Sequence, residues 1–154
     1  MSASQAPHVV VLDGSPLYAE IYGNLFTSEG YRVSALTDCA VDPATVLGHA
    51  PDLIVIDLRC GAGLRGLDFL RQLRTDPAGR DVPVIASTPA SLLDMERYRD
   101  ELRALGAAIF DGLSQFDDLL AAARDATALA WDTRRQSRAA LDRLHAAREP
   151  DSTT

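Results

Sequence analysis

Asp13, Asp57 and Thr88 each stand where a short apolar run of the chain stops. His8–Leu12 (HVVVL) runs into Asp13, Asp52–Asp57 (DLIVID) ends on Asp57, and Val82–Ser87 runs into Thr88. A carboxylate in such a place can act as a nucleophile toward phosphorus and form an acyl phosphate. Two carboxylates held together repel one another and invite a divalent cation. Magnesium suits the pair, because it binds through one or two carboxylates plus phosphate oxygens and keeps several waters. Bound there, it would offset the charge that builds on a transferring phosphoryl group. A hydroxyl at Thr88 could donate to the product and, by turning, report the modification to the nearby surface. The structural alternative is simpler: an aspartate at a strand end that caps the next loop.

The elements that must position these residues follow from the hydrophobic pattern. His8–Leu12 reads as a buried strand. Pro16 opens a helix that reaches Ser28, with Leu17, Ile21 and Leu25 expected on its inward face, and Gly30 stops it. Tyr31–Leu36 is a second strand and Pro43–His49 a short helix. Asp52–Asp57 is the strongest strand signal. A glycine-rich loop then leads to a helix carrying Leu67, Leu70 and Leu73. Val82–Ser87 is strand four; Met95, Tyr98, Leu102 and Leu105 mark a helical stripe closed by Gly106. Ala107–Phe110 is strand five. From Phe116 the chain reads as helix to Arg148, with Phe116, Leu119, Leu120 and Ala123 facing the sheet and Trp131 onward running past the body. Strands alternating with helices predict an α/β fold, a parallel sheet covered on both faces. In open sheets of this class, ligands gather at the carboxyl ends of the strands. Asp13, Asp57 and the Ser87–Thr88 pair all lie there.

These residues resemble the receiver domain of two-component response regulators over about Pro7 to Ala130. The resemblance rests on VVVLDGSP, LIVID, PVIASTP and the Gly-Ala before strand five, in that order. It implies a flavodoxin-like (βα)5 doubly wound sheet of strand order 2-1-3-4-5, here with an extended C-terminal helix. It also implies that Asp57 accepts a phosphoryl group from a sensor histidine kinase, and that Asp13, Asp57 and the backbone carbonyl of Arg59 hold Mg2+. Thr88 and the aromatic Phe110 would form the switch pair. The contact surface would lie on helix four, strand five and helix five. Expected organisation is a disordered segment over 1–7, a receiver-like domain over 8–130, a helical extension over 131–148 and a disordered tail over 149–154.

The chain departs from that pattern at three places. Gly14 replaces the second acid after strand one, which weakens the magnesium site. Leu113 or Gly112 stands where the family carries a lysine on strand five. After Asp57 the usual Met-Pro is replaced in LRCGAGLRG. All 15 basic residues are arginine, so no mechanism that needs a lysine is open to this chain. Arg59 could supply a positive charge, although a guanidinium fork does not reproduce an ammonium point charge. Two readings therefore stand: a stand-alone receiver acting by protein–protein contact with Asp57 as phosphoacceptor, or a phosphorylation-independent pseudo-receiver used for docking or dimerisation. A third, more distant reading is a nucleotide- or flavin-binding protein. It rests on Gly61-Ala62-Gly63-Leu64-Arg65-Gly66, a G-x-G-x-x-G between strand and helix. That fingerprint belongs after the first strand rather than the third.

Composition narrows the classes. A chain of 154 residues fits one domain, and its net charge of -7 argues against nucleic acid as a partner. Cys39 and Cys60 lack metal-ligand spacing and are expected as free thiols in a reducing compartment. His8, His49 and His145 are scattered. No apolar run approaches the length of a membrane span, so a cytoplasmic protein is expected. Trp131, Leu141 and Leu144 among Arg134, Arg135, Arg138, Arg143 and Arg148 suggest a homodimer or partner contact through the last helix.

Overall fold

The computed structural model describes residues 6–60, 63–87, 96–111 and 114–148. Five strands, β1 (His8–Leu12), β2 (Arg32–Leu36), β3 (Leu53–Asp57), β4 (Val84–Ser87) and β5 (Ala107–Phe110), form one sheet. Its order is β2-β1-β3-β4-β5, and every pairing is parallel. The helices are α1 (Pro16–Ser28), α2 (Pro43–Leu47), α3 (Arg65–Thr75), α4 (Glu96–Ala104) and α5 (Phe116–Arg148).

Side chains alternate along each strand, so the apolar runs divide between two cores. Val10, Leu12, Ile54, Ile56, Val84 and Ala86 face α2, α3 and α4, where Val46, Leu67, Leu70, Leu73 and Leu102 meet them. Val9, Val11, Leu53, Val55 and Ile85 face α1 and α5, meeting Tyr22, Phe26, Leu119, Leu120 and Ala123. This two-sided burial is why the strands read as unbroken apolar runs rather than alternating ones.

Three of the helix starts have a local cause. Ser15 caps α1 by accepting from the Tyr18 N–H, and Pro16 occupies the first turn, where no N–H is needed. Asp42 caps α2 in the same way through the Thr45 N–H. At α3 the determinant is space. A Cβ on Gly66 would lie 2.1 Å from the Asp57 carbonyl oxygen and 2.7 Å from Leu58 Cα. The Gly66 N–H instead donates to the Leu58 carbonyl at 3.0 Å. The last glycine of the G-x-G-x-x-G string thus packs helix on strand; Gly61 and Ala62 lie outside the described residues. Arg74, at the other end of α3, donates to the carbonyls of Leu105, Gly79 and Val82 and ties the helix to the turns before β4 and β5.

Several expectations are corrected. The inward face of α1 is Ala19, Tyr22 and Phe26, while Leu17 is 62% exposed. The larger rings fill the space above β1 and β3, which turns the helix by about one residue from the aliphatic stripe. Trp131 is not part of a free extension: its ring meets Tyr31 at 5.7 Å between centroids, and Tyr31 in turn hydrogen-bonds Thr127 at 2.9 Å. Ala6 and Pro7, expected within a disordered segment over 1–7, are buried, and the Pro7 carbonyl accepts from the Arg32 N–H; residues 1–5 lie outside the described residues. Cys39 and Cys60 are not free thiols but a disulfide, with Cα atoms 5.4 Å apart. β2 and β3 both flank β1, so the loops that leave them are neighbours although the cysteines are 21 residues apart. His8 and His49 also meet, their rings 6.2 Å apart at the amino end of the sheet. His8 Nδ1 donates to the His49 carbonyl and Nε2 pairs with the Ser34 hydroxyl, each at 2.7 Å. Burial lowers the His8 pKa, which favours the neutral imidazole.

Gly66→Ala should cost about 3 kcal/mol, because the methyl group meets backbone rather than a movable side chain. That corresponds to a melting temperature lower by roughly 6–12 °C in scanning calorimetry. A loss under about 1 kcal/mol would mean that α3 can move off the strand end without penalty.

Candidate functional site

The register of the central strands builds the site. Leu12 pairs with Ile56, so the next residues along, Asp13 and Asp57, emerge side by side at the carboxyl ends of β1 and β3. Asp57 pairs with Ser87, and Ser87 with Phe110, which extends the row across β4 and β5. Each carboxylate uses Oδ1 to hold its own loop. Asp13 Oδ1 accepts from the Ser15 N–H at 2.9 Å, and Asp57 Oδ1 from the Arg59 N–H at 3.1 Å.

Asp13 is only 4% exposed. Burial, reinforced by the negative charge of Asp57, pushes its carboxyl up to about 6, while the Ser15 N–H opposes the shift. Burial also raises Asp57, against the Arg59 N–H and the Arg59 guanidinium, which favour its ionised form. Two partly desolvated carboxylates at one end of the sheet favour a divalent cation between them. Two carboxylates at adjacent strand ends fit the coordination habit of magnesium. Gly14 adds no third, and among the described residues no group of three or more His, Cys, Asp or Glu gathers at ligand range.

The other site residues divide. Phe110 ends β5 and is half-buried against the Tyr22–Phe26 core. Arg59 is exposed beside Asp57. Thr88, Gly112 and Leu113 lie outside the described residues. Two side chains escaped the sequence reading. The Tyr22 hydroxyl and Ser87 Oγ share a buried hydrogen bond. Burial raises the Tyr22 pKa against the Ser87 hydrogen bond, and the charges of Asp13, Asp57 and Asp111 add to the rise. Tyr22 also meets Phe116 edge to face, with 6.0 Å between centroids. The available signal was its spacing of four from Phe26 on α1. Asp111, just after β5, is the third acid whose charge bears on this phenol.

The response regulator receiver domain profile matches residues 9–114. The chain belongs to the response regulator receiver domain family. It is thereby a receiver of the two-component type. No match was found among curated proteins. In fold the chain is similar to the non-phosphorylated HemR receiver domain of Leptospira biflexa, at a TM-score of 0.63 and 22% identity, covering 79% of this chain and 94% of that one. It is similar too to the chemotaxis protein CheY4 of Vibrio cholerae, at 0.61 and 18%, covering 75% and 97%. A third likeness is to the response regulator TrrA of Thermotoga maritima in complex with Mg2+-BeF, at 0.59 and 19%, covering 78% and 98%. Among the described residues of this receiver, no helix is long and apolar enough to cross a membrane.

The raised Asp13 carboxyl links the site to stability. Its folded pKa of about 6 lies above the 3.8 of a free carboxyl, so the folded state favours the protonated form. That stabilisation is complete below about pH 4 and is lost as pH rises through 6. The full difference is on the order of 2–3 kcal/mol. In chelator-treated buffer, Asp13→Asn should therefore unfold at higher urea than the parent at pH 8, with the gap closing by pH 4. Equal midpoints at pH 8 would mean that the carboxylate is relieved of strain by solvent. Tyr22→Phe should cost about 1–2 kcal/mol at either pH, because it leaves the buried Ser87 hydroxyl without its partner.

Proposed function

We propose that this receiver is a phosphoacceptor signalling protein in which Asp57 takes a phosphoryl group and passes the change to protein partners. The observation that carries the reading is the side-by-side placement of Asp13 and Asp57 at the ends of two fully buried strands. In the step, an Asp57 carboxylate oxygen attacks phosphorus, the bond from phosphorus to the donor breaks, and the donor leaves with its electron pair and takes up a proton. The donor would be the phosphohistidine of a sensor kinase. Asp13, Asp57 and the Arg59 backbone carbonyl would hold Mg2+, which when bound supplies charge neutralisation to the transferring group. That a similar regulator was solved with Mg2+-BeF supports this assignment. With Gly14 in place of a second acid, the affinity for the cation would be reduced. The Arg59 N–H keeps Asp57 oriented, and the guanidinium opposes the burial that raises its pKa, favouring the ionised, nucleophilic form.

Thr88 and Phe110 would carry the switch. Phe110 packs against the same core as Tyr22 and Phe116, so a change at Ser87–Thr88 has a packed route to α5. The partner surface would comprise α4, β5 and α5, and the protein would act by contact rather than by turning over a substrate of its own. Residues 8–130 would form the working domain, and residues 131–148 a helical extension, held at Trp131, on which Leu141 and Leu144 are exposed. That extension suits an acidic partner or a second copy. A cytoplasmic location belongs to this reading. The second reading, a pseudo-receiver without phosphoryl chemistry, is favoured by Gly14 and by the absence of any lysine.

Intact-mass spectrometry after incubation with acetyl phosphate and magnesium should show one phosphoryl adduct, absent from Asp57→Asn. No adduct from acetyl phosphate or from a phosphorylated histidine kinase, together with no magnesium binding by titration, would sink the phosphoacceptor reading and leave the pseudo-receiver.

A further inference from the structure

The Cys39–Cys60 bridge lies at the same end of the sheet as the acidic pair, and nothing in receiver chemistry uses it. Cys60 follows Asp57 by three residues in the β3–α3 loop, and Cys39 lies in the β2–α2 connection. The bridge therefore joins the two loops that leave the neighbours of β1, the strand that delivers Asp13. Residues 58–60 are held at one end by Arg59 N–H to Asp57 Oδ1 at 3.1 Å and by Gly66 N–H to the Leu58 carbonyl at 3.0 Å. At the other end they are held by the disulfide.

The two sulfurs are not equivalent. Cys60 is wholly buried among Leu58, Leu67 and Leu70, whereas Cys39 is half-buried at the edge of that cluster. A thiolate from solvent can reach Cys39 Sγ; it cannot reach Cys60 Sγ without opening the loop. Attack geometry and access, together with thiolate character, set the rate of exchange. In a reducing compartment, disulfides that form are mostly transient, catalytic or redox-sensing rather than structural.

We infer that Cys39 and Cys60 are a redox-reversible thiol pair that governs the order of the loop behind Asp57, exchanging with low-molecular-weight thiols and disulfides. In the opening direction a thiolate attacks Cys39 Sγ, the S–S bond breaks, and Cys60 leaves as a thiolate that takes up a proton. A second thiol then attacks the outer sulfur of the mixed disulfide and releases Cys39. The sum is protein disulfide plus two thiols giving protein dithiol plus one small disulfide, and closing is the reverse. Opening removes the tether on Cys60, so the segment that presents the Arg59 N–H to Asp57 is held from one side only. The exchange itself is independent of the proposed phosphoacceptor role; its regulatory meaning rests on that reading.

The test uses the whole chain in anaerobic glutathione buffers of graded reduced-to-oxidised ratio, acid-quenched, alkylated and weighed intact. A doubly alkylated species should replace the unlabelled one in a single reversible transition within the series. Amide hydrogen exchange followed at Arg59 should be roughly tenfold faster in the reduced form. Cys39→Ser and Cys60→Ser should show the fast rate in every buffer. A labelling pattern that does not change across the series, whether closed or open throughout, overturns the inference. So does an Arg59 exchange rate that is the same in both forms of the parent protein. Neither readout involves phosphoryl transfer, so failure to phosphorylate Asp57 counts against the proposed function alone.

Discussion

The pairing of Leu12 with Ile56 across β1 and β3 is the contact on which the rest of the molecule depends. Both side chains are wholly buried on one face of the sheet, and their neighbours Val11 and Val55 are buried on the other. A shift of one residue in either strand would send every one of these side chains to the opposite core. Apolar packing on two faces thus locks the register, and the register sets two aspartates next to each other. The pair is electrostatically unfavourable: burial and mutual repulsion both resist ionisation of Asp13. It persists because the strands that carry it have no other register open to them. A cation or a phosphoryl group would meet a site already assembled, with little reorganisation left to perform.

From that end of the sheet, the two cores provide separate connections. On the α1–α5 face, Ser87 touches the Tyr22 hydroxyl, the Tyr22 ring touches Phe116, and Phe116 opens the long helix. On the α2–α4 face, the Asp57 carbonyl sits against Gly66 and the loop between them is pinned by Cys60. One side couples the pocket to α5 through hydrogen bonding and ring contact. The other couples it to α3 and β2 through backbone contact and sulfur.

The amino end of the sheet is built differently. The His8 ring sits between a carbonyl and a hydroxyl, and the His8 backbone N–H meets the Asp52 carboxylate at 2.8 Å. Arg74 serves a similar purpose between α3 and the turns that precede β4 and β5, satisfying several carbonyls with one guanidinium. These polar side chains close off backbone groups that helices and strands leave unpaired at their ends. They face away from the acidic pocket. Their chemistry is consumed in holding loops.

Element type, strand order of the receiver class and the identity of the paired acids were legible in the chain alone. Each of those depends on residues close together in sequence: an apolar run of strand length, Ser15-Pro16 or Asp42-Pro43 at a helix start, an aspartate where the run stops. What stayed hidden depends on rotation and reach. The phase of α1 was decided by how the Tyr22 and Phe26 rings fill the space over β1 and β3, which a stripe of aliphatic spacing does not encode. Trp131 found Tyr31 one helix away, His8 found His49 and Ser34, and Cys39 found Cys60 across two loops. Local sequence determines which backbone conformation each segment prefers; only the packing of segments distant in sequence decides which side chains touch, because contact requires both partners to be placed by strands they do not belong to.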